Sequence, residues 1–124
     1  MTEGLRFWKT ESVGNDFVLV LLEDAFSALN LNSASAADVT LRLSTLSKLV
    51  CRRRFGIGSD GLLTVAPHPK GLALRMFNPD GTEDFCGNGL RCAATWAVEK
   101  GWTDSNKFTI HHGQQDIAFE IQDN

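Results

Sequence analysis

The spacing of hydrophobic and polar positions changes several times along this chain, and each change marks an element. Arg6 to Thr10 and Phe17 to Leu22 read as two strands, the second the apolar run Phe-Val-Leu-Val-Leu-Leu. Between them the turn-rich Ser12-Val13-Gly14-Asn15-Asp16 predicts a β-hairpin. Small polar residues from Asn30 to Ala36 mark a loop, and Ser35 with Asp38 three positions on forms an N-cap pair. Val39, Leu43, Leu46 and Val50 then recur at helical spacing. This helix is expected to end near Arg52 to Arg54, whose charges suit the negative end of its dipole, with Gly56 as the stop.

Leu62 to Val65 and Leu72 to Phe77 read as a second hairpin, joined through Pro67-His68-Pro69-Lys70-Gly71. After the turn signal Asn78-Pro79-Asp80-Gly81, the chain runs through Cys86-Gly87-Asn88-Gly89 into a helix over Leu90 to Lys100, closed by Gly101. From Cys92 to Val98 that helix carries no charge and many small residues, the signature of a helix surrounded by protein. Lys107 to Ile110 and Ile117 to Ile121 supply two more strands. About six strands and two helices predict an α+β fold, a curved and mostly antiparallel sheet around the Leu90 to Lys100 helix.

With 124 residues, 43% hydrophobic and 22% charged, the chain has the make-up of one ordinary globular domain. Its net charge of −3 and the lack of any basic run beyond Arg52-Arg53-Arg54 argue against a nucleic-acid partner. No apolar stretch reaches the roughly 18 residues of a membrane span, and no signal peptide is visible, so a cytoplasmic protein is expected. Cys51, Cys86 and Cys92 form neither a disulfide framework nor a C-x-x-C pair, and His68, His111 and His112 are not spaced as ligands to them. Free thiols and no metal are expected.

Gly56-Ile57-Gly58-Ser59-Asp60-Gly61 matches G-x-G-x-x-G, yet its context excludes dinucleotide binding. That motif needs a strand before the glycines and a helix after them. Here the order is helix, glycines, strand, and no G-K-[ST] follows for a P-loop, which leaves a connecting loop or a substrate-facing one.

Cys86 stands where the buried helix begins. The first backbone N–H groups of a helix lack internal partners and carry positive potential, so this entrance favours anions, a thiolate among them. Gly87 and Gly89 allow a carboxylate close to the bare amides, and Asn88 adds a side-chain donor. A purely structural cap would ordinarily be Ser, Thr, Asp or Asn. Cys51 and Cys92 lie inside the two helices and read as packing residues.

Four segments together resemble diaminopimelate epimerases in order and spacing: Val13-Gly14-Asn15-Asp16-Phe17, Arg54-Phe55-Gly56-Ile57-Gly58-Ser59-Asp60-Gly61, Arg75 to Glu83, and Cys86-Gly87-Asn88-Gly89-Leu90-Arg91-Cys92. The resemblance implies a two-domain enzyme of pseudo-symmetric α+β halves that interconverts LL- and meso-diaminopimelate for lysine and cell-wall synthesis, without pyridoxal phosphate or metal. One cysteine from each half would face the α-carbon, and Cys86 matches that of the first half. By the same carry-over Asn15, Asn78, Gly87 and Asn88 match substrate-binding positions. Read without the family, Asn15 and Asn78 are turn residues only.

Two departures stand out. Gly61 occupies the position where the family usually has a glutamine against the substrate, which opens the substrate to related amino acids. The resemblance also implies that residues 1–124 are an N-terminal domain whose partner domain, with the second cysteine, lies beyond Asn124, so the isolated chain is expected to be inactive. An interface left uncovered in such a half would be partly apolar, which admits a homodimer. Proline racemases carry a similar cysteine but typically a histidine where Asn88 stands, and phenazine-biosynthesis isomerases lack the cysteine. A single-domain amino-acid-binding module without turnover, and an interaction protein with Cys86 buried, are the readings from other classes.

Overall fold

A computed structural model describes residues 4–54, 56–103 and 107–120. Strands β1 (Trp8–Ser12) and β2 (Asn15–Leu21) pair antiparallel with Ser12 opposite Asn15 and Trp8 opposite Leu19. The expected hairpin is present, with β1 displaced toward the turn by two residues. Its loop is Val13-Gly14 alone, both at positive φ (50° and 83°), the backbone twist that two-residue hairpins require. Asn15 is thereby the first residue of β2.

Phe17 to Leu21 are all buried because β2 is covered on both faces. Phe17, Leu19 and Leu21 point into one cluster, and Val18 and Val20 into another. Helix α1 (Leu22–Ala28) follows β2 without a loop and was not expected; α2 (Ala36–Val50) was. The Ser35 hydroxyl accepts from the Asp38 N–H at 3.1 Å, as the cap pair predicts. Val39 and Leu43 are buried against Val18, Val20, Leu62 and Phe77, with Leu46 and Val50 at the margin. The helix ends at Val50, short of the arginines, and Arg53 turns to carboxylates instead of to the helix end.

Strands β3 (Leu62–His68) and β4 (Gly71–Phe77) form the second hairpin, longer than expected: β3 runs on through Pro67 and His68, and the loop shrinks to Pro69-Lys70. β2 and β3 are parallel, with Val18 opposite Leu62. A two-residue strand β5 (Glu83–Asp84), also unexpected, pairs with the end of β4. β6 (Lys107–His112) lies parallel to β4 and pairs antiparallel with β7 (Gln115–Glu120); the expected end at Ile121 lies outside the described residues. Among the described residues the sheet order is β1-β2-β3-β4-β6-β7, with β5 beside β4.

Helix α3 (Gly87–Glu99) begins three residues before Leu90. Ala93, Ala94 and Ala97 are wholly buried, and Leu90, Cys92 and Trp96 nearly so, against Leu19, Leu63, Leu74, Met76 and Ile110. Small residues let the helix lie close to the sheet, while Trp96 fills the space between Trp8 and Trp102 with edge-on ring contacts at 5.2 and 5.0 Å. The expected α+β architecture is thus present: a curved, unclosed and mostly antiparallel sheet around α3, with α1 and α2 as a further layer outside it. Because the sheet does not close, Arg91, Thr95 and Glu99 on α3 remain exposed.

Candidate active site

Cys86 is the N-cap of α3, with extended backbone (φ −143°, ψ 151°). Its carbonyl accepts the first helical bond from Leu90 N–H at 3.0 Å, and its Sγ accepts from Gly89 N–H at 3.3 Å. The thiol therefore does what a serine or aspartate cap does, holding one orphan donor of the helix. Cys86 is exposed, whereas Cys51 and Cys92 are buried, and burial pushes both of those thiols up from their ordinary pKa.

The two glycines beside Cys86 differ. A Cβ on Gly87 would meet nothing within 4 Å, so open space lies over the first turn. A Cβ on Gly89 would lie 2.5 Å from Met76 Sδ and 3.3 Å from Cys86 Sγ, so Gly89 serves close packing, and its N–H is already given to the sulfur. Only Gly87 keeps the role of a bare approach.

The expected polar residues form two groups with one residue common to both. Asn88 Nδ2 donates to Asn15 Oδ1 at 2.6 Å, tying α3 to the start of β2. Asn78 shares a small cleft with Cys86, Asp84 and Phe85, where its Nδ2 donates to Thr82 Oγ1 at 3.0 Å and to Asp84 Oδ2 at 3.2 Å. Asp60 lines the same cleft and accepts from Asn15 Nδ2 at 3.3 Å. The interior of the cleft amounts to about 20 Å³, room for about one water molecule. It is an open cleft, too small to enclose an amino acid.

A model of the diaminopimelate epimerase family matches residues 7–124. The chain belongs to that family. It is 40% identical over 108 residues to the diaminopimelate epimerase of Moorella thermoacetica, covering 86% of this chain and 34% of that protein. With the Methanocella arvoryzae protein of the same name it shares 39% over 123 residues, 96% of this chain and 40% of the relative. The chain thus spans about a third of the length of such relatives. Solved structures agree on the fold. A methylitaconate-delta-isomerase superposes with a TM-score of 0.65 at 14% identity over 96% of this chain and 35% of its own. A phenazine biosynthesis protein from Bacillus anthracis does so at 0.58 and 17%, over 97% and 36%.

In this epimerase-family chain an ion cluster that the sequence did not reveal supports the asparagines. Arg53 forks onto both Asp16 oxygens at 3.0 and 2.9 Å and reaches Asp60 Oδ1 at 3.0 Å. Lys9 donates to Asp16 Oδ2 at 2.9 Å and to the Gly58 carbonyl. The Arg53 guanidinium, and next the Lys9 ammonium, hold the Asp16 carboxyl far below the usual carboxylate range. Asp60 Oδ2 accepts the Asp16 backbone N–H at 2.9 Å, which locks the hairpin to the glycine loop. The aspartates lay in view as neighbours of turn and glycine residues, but no local spacing couples them.

The G-x-G-x-x-G stretch is the helix-to-strand connection its context implied. A Cβ on Gly56 would lie 2.2 Å from the Leu49 carbonyl oxygen, and Gly58 has φ +85°. Among the described residues no three His, Cys, Asp or Glu side chains are grouped to hold a metal, and no helix is long and apolar enough to cross a membrane.

Proposed function

We propose that this chain is the N-terminal half of a cytoplasmic, two-domain diaminopimelate epimerase, supplying one of the two thiols that invert the α-carbon of LL-diaminopimelate to the meso form. The observation that carries this reading is Cys86, an exposed thiol at the entrance of α3 in a chain of the epimerase family. Gly89 N–H donates to its sulfur at 3.3 Å, and the thiolate is the form able to take a proton.

The substrate carboxylate would lie over the open first turn, against the Gly87 and Asn88 amides, with Asn15 and Asn88 beside it and Asn78 across the cleft from Cys86. The Cys86 thiolate takes the α-proton while a thiol of the other half delivers a proton to the opposite face, or the reverse in the return direction. Charge and protons balance without pyridoxal phosphate or a metal. Because this half offers a cleft for about one water, excluding solvent from the carbanionic carbon falls to the second domain.

The test is α-proton exchange of diaminopimelate in deuterated water. It is measured with the 124-residue chain alone and with the same chain joined at its C-terminus to the second domain of the Moorella thermoacetica enzyme. Exchange by the joined protein only, lost in Cys86→Ala, is expected. Exchange by the chain alone would refute the half-site reading. Tight diaminopimelate binding by the chain, with a folded but inactive joined protein, would make it a binding module.

A further inference from the structure

Between Arg91 and Asp60 runs an unbroken series of side-chain hydrogen bonds. Arg91 donates to Asn88 Oδ1, Asn88 Nδ2 donates to Asn15 Oδ1, and Asn15 Nδ2 donates to Asp60 Oδ2. Arginine carries only donors and a carboxylate only acceptors, so the two ends leave one possible orientation for the amides between them. We infer that Arg91 and Asp60 are positioning residues that fix the amide orientations of Asn88 and Asn15, so that the pair meets a carboxylate with N–H groups. This rests on the substrate site proposed above.

The remaining contacts hold the two ends in place. Ser12 Oγ accepts from Arg91 Nε at 3.4 Å, and Asp60 is held by Arg53 at 3.0 Å and by Asp16 N–H at 2.9 Å. Each asparagine oxygen already accepts from a cation or an amide, and each amide nitrogen has spent one of its two hydrogens. The second hydrogens, with the Gly87 and Asn88 backbone N–H groups of the first helical turn, are the donors this corner has left to offer a ligand. A corner built from donors selects a carboxylate over an ammonium group. Without Arg91 the Asn88 oxygen loses its donor and Asn88 is held from one side only, through Asn15 and Asp60, so the donor corner is less firmly set.

The test reads the side-chain NH₂ signals of Asn15, Asn88 and Asn78 in the ¹⁵N-labelled 124-residue chain. Arg91 is exposed, so Arg91→Met is expected to fold with only a small loss of thermal stability. It should shift the Asn88 and Asn15 signals together and leave Asn78 in place, with Arg91→Lys restoring them. In the joined two-domain protein Arg91→Met should raise KM about tenfold, the loss of one charge-assisted hydrogen bond, with kcat little changed. Asp60→Asn should perturb Asn15 first. Unmoved Asn15 and Asn88 signals in Arg91→Met would overturn the inference, as would a fall confined to kcat. Failure of the joined wild-type protein to exchange the α-proton would overturn the epimerase reading instead, while the amide signals still decide the role of Arg91.

Discussion

Gly89 on α3 and Met76 on β4 meet so closely that a Cβ on the glycine would lie 2.5 Å from the methionine sulfur. Met76 is only 4% exposed, so its side chain has little room to withdraw. Gly89→Ala gains helix propensity but overpacks this contact, and a loss of about 1–3 kcal/mol is expected from the urea midpoint. The same Cβ would come within 3.3 Å of Cys86 Sγ, so the thiol should shift as well. An alanine variant as stable as the parent would show that α3 has no need of this close approach.

The fold was legible wherever one period ran long enough, as in α2 with its Ser35 cap and in the two hairpins. α1 was hidden because Leu21 and Leu22 continue the apolar run of β2 into the helix, and Leu21 caps it without a side-chain bond. β5 is two residues long and carries no period. The cysteine at the helix entrance was visible because its chemistry is local, a thiol, two glycines and a helix start in four consecutive positions. The partners of Asn15 were not. Asn88 lies 73 positions from it and Asp60 lies 45 away, and no pattern within either segment records that pairing. Arg53 was assigned to a helix end for the same reason, since its carboxylate partner on Asp16 comes from the other end of a parallel crossover.

Alkylation separates the three cysteines. Cys86 is exposed, whereas Cys51 and Cys92 are each 4% exposed and their thiols are pushed up by burial. In the native chain at neutral pH iodoacetamide should modify Cys86 at least about tenfold faster than either of the others, read by peptide mass spectrometry. Equal rates for all three would mean that Cys86 is not the available thiol and would remove it as the proposed base.

Acid stability should carry the mark of Asp16. Its carboxyl is held far below the ordinary range, first by Arg53 and then by Lys9, so the unfolded chain takes up that proton at a higher pH than the native one. The stabilisation is therefore complete above the unfolded value near 4 and is lost as pH falls through and below it. Asp16→Asn should lower the urea midpoint at pH 7, and the gap to the parent should narrow below pH 4. Salt should shrink the gap at pH 7, because the Arg53 side chain is 60% exposed. A gap independent of pH from 7 to 3 would rule out the charge as its cause.

Gly61, the position that the sequence resemblance matches to a glutamine, is closed in by its neighbours. A Cβ there would stand 3.0 Å from the Phe77 carbonyl oxygen and 3.2 Å from the Phe17 ring. The ring can yield slightly, but the Phe77 backbone is held in the β3–β4 ladder opposite Leu62. Gly61→Ala and Gly61→Gln should each cost about 1 kcal/mol of stability through overpacking. Gly61 also lines the cleft with Cys86 and Asn78, so a glutamine would bring a polar side chain to the site along with that strain. If the two variants lose equal stability and only Gly61→Gln changes KM for diaminopimelate in the joined protein, the added amide is what reaches the substrate. If both change KM equally, displacement of Phe17 and Phe77 is the cause, and the glycine belongs to the packing that shapes the cleft.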